Sequence, residues 1–194
     1  NYLRITASIP FKYQGREIKD VRNSLNQQLI RRNWTFAPNI KIFDDKTFKL
    51  EYEMQPILPE MTHLLDVTNS SNSLYRYVGN PNLKTSYNHA VDLIASTKRT
   101  AFSLWLNYNL RANIMQHQIK RATTYNRTTG VTTYQPRNID GNWWTSGNIS
   151  FGRALDKDKR WNMSLDSKYT FAHNTDYLND AMQQNPQVSL VLNH

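Results

Sequence analysis

The stretch Phe102-Ser103-Leu104-Trp105-Leu106-Asn107-Tyr108-Asn109-Leu110-Arg111-Ala112-Asn113-Ile114 decides the fold. Phe102, Leu104, Leu106, Tyr108, Leu110, Ala112 and Ile114 recur at every second position, the period of a strand and not of a helix. Strands in ordinary globular proteins run about five or six residues, so this one is unusually long. The same alternation extends in both directions from it. Leu3, Ile5, Ala7, Ile9, Phe11 and Tyr13 share one face, and Trp34, Phe36, Ile40 and Ile42 another. Phe48, Leu50, Tyr52 and Met54 follow, then Tyr87, His89, Val91, Leu93 and Ala95. Trp161, Met163, Leu165, Tyr169 and Phe171 make a further face, broken by Ser167. The pattern predicts an all-β antiparallel meander of about eight strands over 2–13, 29–43, 48–57, 87–97, 100–116, 131–155, 160–172 and 187–193. Its one helical signal is a turn or two around Pro59–Leu65.

The connections are as informative as the strands. They alternate long (14–28), short (44–47), long (58–86), short (98–99), long (117–130), short (156–159) and long (173–186). Every tight turn is therefore expected at one end of the sheet and every long loop at the other. Loops longer than about 12–15 residues are uncommon in compact domains unless they serve a function.

Composition narrows the environment of that sheet. The 194 residues hold 24 Lys+Arg against 15 Asp+Glu, a formal charge of +9, with 22 Asn and no Cys. The lack of Cys excludes a disulfide framework and a thiolate metal site. No uninterrupted apolar run exceeds three residues, whereas a transmembrane helix needs about 20. With 12% aromatic residues but a mean hydropathy of −0.71, the chain is too aromatic to be disordered and too polar for a large compact core. Two environments would hide a one-sided apolar sheet. One is a second protein layer, as in a soluble β-sandwich or small barrel that binds carbohydrate through a long-loop rim. The other is lipid around a β-barrel with a wet interior. Strands of about 9–11 residues or more, aromatics near segment ends and one-sided loop lengths favour lipid.

Pro56-Ile57-Leu58-Pro59-Glu60-Met61-Thr62-His63-Leu64-Leu65-Asp66, followed by Tyr77-Val78-Gly79-Asn80-Pro81-Asn82-Leu83-Lys84, resembles the barrel of TonB-dependent outer-membrane receptors. The resemblance is closest to the Bacteroidetes-type outer-membrane β-barrel family related to them. In such proteins a Gly-Asn-Pro-Asn-Leu-Lys-Pro-Glu-like segment leads from an external loop into a descending strand; Thr85-Ser86 stands here in place of Pro-Glu. Asn138-Ile139-Asp140-Gly141-Asn142 is similar to the family's Asn-x-x-Gly lead-in to a strand. The resemblance implies a Gram-negative outer-membrane location and uptake of a solute, without catalysis and without a cofactor. It implies contact with the bilayer and lipopolysaccharide, and a plug domain and TonB engaged by other parts of the protein. The chain opens at Asn1-Tyr2-Leu3-Arg4 directly into patterned sequence and closes at Val191-Leu192-Asn193-His194 without a terminal aromatic residue. It is therefore expected to be a single partial barrel domain over 1–194, with edge strands able to pair with another copy.

Signals for other chemistry are weak. The five histidines show no metal-ligand spacing, and no Gly-x-Ser-x-Gly elbow accompanies His173 and Asp176. Lys and Arg are dispersed, with no run above two, which argues against nucleic acid and for long-range attraction of anionic solutes. A ligand surface is expected to join loop aromatics to polar groups, and the candidates are Tyr75, Arg76, Tyr77, His117, Arg121 and Tyr134. Trp105 joins them as an indole on the polar face of its strand. Gly79, Asn80 and Pro81 are expected to make a turn in which Gly and Asn tolerate left-handed angles.

Overall fold

A computed structural model describes residues 2–20, 27–44, 47–65, 68–72, 74–99, 103–179 and 181–193. The wall of the molecule is built from β1 (Arg4–Ser8), β4 (Asn39–Phe43), β5 (Phe48–Ile57), β8 (Ser86–Arg99), β9 (Leu104–Gln116), β12 (Asn142–Ala154), β13 (Asn162–Leu178) and β14 (Ala181–Asn193). They lie side by side in that order, each antiparallel to the next. Among the described residues, β1 and β14 are each paired on one side only.

Register carries the argument from sequence to surface. One row across all eight strands reads Ile5, Ile42, Leu50, Leu93, Leu110, Gly147, Tyr169, Leu190. The adjacent row, pointing to the other face, reads Thr6, Lys41, Glu51, Asp92, Arg111, Ser146, Thr170, Ser189. Because side chains alternate across a strand, a one-residue slip anywhere would interleave these rows. The apolar face is left open: Ile5, Ile114, Trp161, Leu190 and many others are exposed. Among the described residues no second layer covers that face, unlike the inner faces of a soluble sandwich.

The single glycine of the apolar row is filled from the next strand. A Cβ at Gly147 would lie 2.6 Å from the Tyr169 hydroxyl and closer still to the Asn109 carbonyl. Tyr169 crosses it to meet the hydroxyl of Tyr108 at 3.1 Å, so an aromatic side chain covers the backbone that glycine leaves bare.

The short connections expected at 44–47 and 156–159 join β4 to β5 and β12 to β13 at one end of the wall, whereas Lys98 and Arg99, expected as a third, belong to β8, and that connection passes to residues 100–103; Asp45, Lys46 and residues 100–102 lie outside the described residues. The opposite end differs from expectation, because its long connections are mostly strand. The predicted loop 14–28 is a hairpin of β2 (Phe11–Asp20) and β3 (Gln27–Phe36). The predicted loop 173–186 is the continuation of β13 into β14 through a tight turn at Asn179, whose φ is +51°. The predicted loop 117–130 holds β10 (Gln118–Tyr125), which pairs with β11 (Thr132–Ile139). The single strand expected over 131–155 is therefore two, β11 and β12, parted at Gly141 with φ +95°. Residues 14–28, 117–130 and 173–186 carry few apolar side chains at alternate positions, so the period-two signal fails there while backbone pairing persists. The segment between β5 and β8 holds α1 (Met61–Leu64), β6 (Thr68–Asn72) and β7 (Tyr75–Val78).

The most completely enclosed side chains cluster among these outer segments and the wall ends that meet them. Pro59, Leu64, Leu83, Ala122, Ile139 and Thr175 are almost wholly enclosed. Hydrogen bonds link all four segments in sequence. From the β2–β3 hairpin, Arg16 Nη1 donates to the Pro59 carbonyl at 2.6 Å, and Arg31 donates to those of Pro81 and Leu83. Asn80 Nδ2 donates to the Pro136 carbonyl at 3.0 Å, while the Asn138 amide accepts from Lys84 N and donates to the Lys84 and His117 carbonyls. β7 runs parallel to β11, pairing Tyr75–Tyr77 with Thr132–Tyr134. At the far side, Asn179 N donates to the Thr123 carbonyl and Tyr125 N to Asn179 Oδ1, both at 2.8 Å.

Gly79 and Asn80 do form a tight corner, but for a different reason from the one expected. Gly79 is not in the left-handed region; a Cβ there would collide with the Leu65 carbonyl. The glycine is needed for close backbone approach, which lets Asn80 N donate to the His63 carbonyl at 2.7 Å.

Candidate functional site

The parallel pairing of β7 with β11 gathers most of the sequence-predicted residues. Tyr77 stands directly opposite Tyr134, and Tyr75 opposite Thr132, two residues along on the same face. The Tyr75 and Tyr134 rings lie nearly parallel (7°) with centroids 6.2 Å apart. The Arg121 guanidinium, brought across by the β10–β11 pairing, sits 4.7 Å from the Tyr134 centroid. Arg121, Tyr134 and Tyr75 thus form a row of three planar groups, with the cation held against a ring face. Arg76 lies opposite Thr133 and so points to the other face of this small sheet.

Tyr77 anchors the inner end of the row. Its ring is 6.2 Å from that of His63, which in turn faces Glu60 at 3.7 Å. Burial raises the Tyr77 pKa above its ordinary value, the nearby Glu60 charge adds to the rise, and Arg121 opposes it. Sequence reasoning missed His63, because no local signal announces a contact made across loops. It also missed Arg137, whose guanidinium lies 6.0 Å from the Tyr177 ring centroid.

His117 and Trp105 stand apart from the row. His117 has φ +51° and forms the bend between β9 and β10. Its N–H donates to Asp140 Oδ1 and its carbonyl accepts from Ser86 Oγ and Asn138 Nδ2, each at 2.7 Å. It acts through its backbone at a corner. Trp105 is paired with Gly152 near the tight-turn end, opposite the aromatic row. His173 and Asp176 are also separated in role: His173 Nδ1 meets the Gly141 carbonyl at 2.8 Å, and Asp176 pairs with Lys120 at 2.9 Å. Among the described residues no three His, Asp or Glu side chains converge as metal ligands would.

The two faces of the wall supply the rest of the setting. On the polar face, Glu51 accepts from Lys41 at 2.9 Å and from Lys49 at 2.8 Å, and Asp92 faces Arg111 at 3.5 Å. Asp92, Arg111 and Lys168 line a shared recess of about 390 Å³. In the β2–β3 hairpin beside the wall, Tyr13 and Trp34 pack at 4.8 Å, and Phe36 bridges Phe11 (6.4 Å) and Tyr87 of β8 (6.3 Å). This aromatic belt lies at the end from which the capped segments rise; Phe48 and the exposed Trp161 sit near the tight turns. Aromatic belts at both ends of an apolar band mark the two interfaces of a bilayer.

The outer membrane protein beta-barrel family matches residues 16–194 of the chain. No curated protein and no solved structure matches it. The apolar rows are therefore the lipid-facing surface of a barrel wall and the polar rows its lumen side, and the chain belongs to the outer membrane protein β-barrel family of the Gram-negative outer membrane.

Proposed function

We propose that the chain is the wall and external mouth of an outer-membrane receptor that takes up a solute by the TonB-dependent route. In this reading it performs no catalysis, and a plug domain and TonB act through other parts of the protein. The external segments capture the solute, and the polar lumen face carries it inward. The observation that supports the reading best is the row formed by Arg121, Tyr134 and Tyr75 on a small sheet stapled to every neighbouring external segment. Rigid, half-exposed tyrosines beside a fixed guanidinium suit a ligand with a flat apolar face and an anionic or hydrogen-bonding edge. Preorganisation of that kind lowers the entropy cost of capture. The bilayer and lipopolysaccharide are the remaining partners in this reading, met by the apolar face and its aromatic belts.

The test is uptake by Gram-negative cells producing the full-length protein, compared with Tyr134→Ala and Arg121→Ala variants and with cells lacking TonB. The reading expects accumulation of a solute from a mixed extract that falls at least tenfold in each case. Equal accumulation with and without TonB would contradict it, as would variants indistinguishable from the parent.

A further inference from the structure

Tyr52, His89 and Gln116 occupy lipid-facing positions of β5, β8 and β9, where their polar atoms interrupt the apolar surface. Register places all three on one face, with Tyr52 opposite Val91, His89 opposite Ile114 and Gln116 opposite Tyr87. The Tyr52 hydroxyl lies 2.9 Å from His89 Nδ1, and the two rings stack with centroids 6.2 Å apart. On its other side, His89 Nε2 lies 3.4 Å from Gln116 Oε1. A proton on Nε2 serves both contacts: Nδ1 accepts from the tyrosine O–H, and Nε2–H donates to the glutamine. Gln116 is exposed, and its amide nitrogen has no hydrogen-bond partner among the described residues. Polar groups at a hydrocarbon surface cost free energy, so a linked set of them marks a site with a use.

Beside this cluster the surface is hollow. Ala112 is flanked in register by Val91 and Thr145, whereas the adjoining rows carry Leu93 and Leu110 on one side and His89, Ile114 and Trp143 on the other. The small side chain leaves a groove of about 410 Å³ lined by Tyr52, His89, Val91, Ala112, Ile114 and Gln116. That size lies within the range of small-molecule sites, about 300–1,000 Å³. Ala112 and Gln116 belong to the half of β9 remote from the tight turns, and short turns are periplasmic in barrels of this type. The groove therefore opens into the external leaflet. Its polar end adjoins Tyr87, which meets Phe36 of the aromatic belt at 6.3 Å.

We propose that this groove binds one acyl chain of a lipopolysaccharide molecule in the external leaflet. The chain lies over Val91 and Ala112, and the amide carbonyl that joins it to the sugar accepts from the Gln116 side chain. Lipopolysaccharide is the lipid of that leaflet in a Gram-negative outer membrane, and its amide carbonyls are stronger acceptors than the ester carbonyls of a phospholipid. The inference rests on the lipid-facing assignment of the wall and on its external end, and not on the TonB-dependent route.

Full-length protein in phosphatidylcholine nanodiscs is titrated with deep-rough lipopolysaccharide and, separately, with phosphatidylglycerol, and bound lipid is counted by native mass spectrometry. The proposal expects saturable binding of lipopolysaccharide at least tenfold tighter than that of phosphatidylglycerol. Ala112→Phe fills the groove with an apolar side chain and should weaken binding at least tenfold; Gln116→Leu should weaken it at least fivefold. Leu106→Phe, on the same face but outside the groove, should stay within threefold of the parent. No saturable binding, or equal affinity for the two lipids in the parent protein, would overturn the proposal whether or not any variant folds. An Ala112→Phe affinity equal to that of the parent would do the same. Neither titration reads solute uptake, so each of these failures leaves the uptake reading standing.

Discussion

Leu110→Arg is the sharpest perturbation of the wall. Leu110 is flanked in register by Leu93 and Gly147 within the apolar row that crosses all eight strands. The outward positions of β9 run from Leu104 to Ile114, ten steps of about 3.3 Å, or ~33 Å along the strand. Tilted by about 40°, that length spans ~25 Å, the height of the apolar band of such barrels. Leu110 is one residue from the midpoint of that span, so an arginine there sits close to the bilayer centre. The expected cost is about 2–4 kcal/mol, or a fall in the folding equilibrium constant of about 30- to 900-fold. Its neighbour Asn109 points into the lumen, where an arginine stays wet, and Asn109→Arg should cost less than about 0.5 kcal/mol. Reversible urea unfolding in thin-bilayer vesicles, followed by tryptophan emission, measures both. Equal costs for the two variants, or a larger one for Asn109→Arg, would refute the assignment of faces.

Other consequences concern the glycines, the cap and one tyrosine. Gly147→Ala should destabilise the wall by about 1–3 kcal/mol in the same unfolding assay, the range for overpacking; Tyr169→Ala should relieve only part of this, because the Asn109 carbonyl still blocks the Cβ. Asn138→Ala removes three hydrogen bonds between the external segments, so amide exchange of residues 75–85 and 132–138 should accelerate by tenfold or more while β8, β9 and β12 keep their protection. Tyr77 is predicted to ionise later than a free tyrosine, for which the pKa is about 10. The folded state then holds a proton that the unfolded chain releases, so this group's contribution to stability declines as pH rises above about 10. An ultraviolet titration should show a late phenolate step that Tyr77→Phe removes, and an unchanged titration would count against the buried placement.

The wall was legible because lipid on one face and water on the other force strict alternation. β5 illustrates this: Phe48, Leu50, Tyr52 and Met54 against Lys49, Glu51, Glu53 and Gln55 mark it from sequence alone, and the strand runs over Phe48–Ile57. Beyond the membrane that constraint disappears. Gln14, Arg16, Asn174 and Gln184 lie in true strands but alternate with other polar residues, so they resemble loop. Pro186 nevertheless sits in β14, which among the described residues pairs on one side only, so a missing donor is tolerated there. The aromatic row was half legible. Its residue types were visible as loop tyrosines and an arginine, but the parallel pairing that aligns Tyr77 with Tyr134 joins segments more than fifty residues apart. No local pattern encodes a contact of that range. Trp105 was visible as an anomaly on a polar face, whereas the Gly152 beneath it became meaningful only through register.

Site-directed spin labelling gives the most direct test of the lipid-facing assignment, and a chain with no native cysteine is well suited to it. Single cysteines placed in turn at positions 106 to 113 of the full-length protein in vesicles would be labelled and their collision rates with oxygen and with a water-soluble nickel chelate compared. The wall described above predicts a two-residue oscillation, with oxygen favoured at 106, 108, 110 and 112 and the chelate at 107, 109, 111 and 113. A flat profile, or one with the two sets reversed, would contradict it.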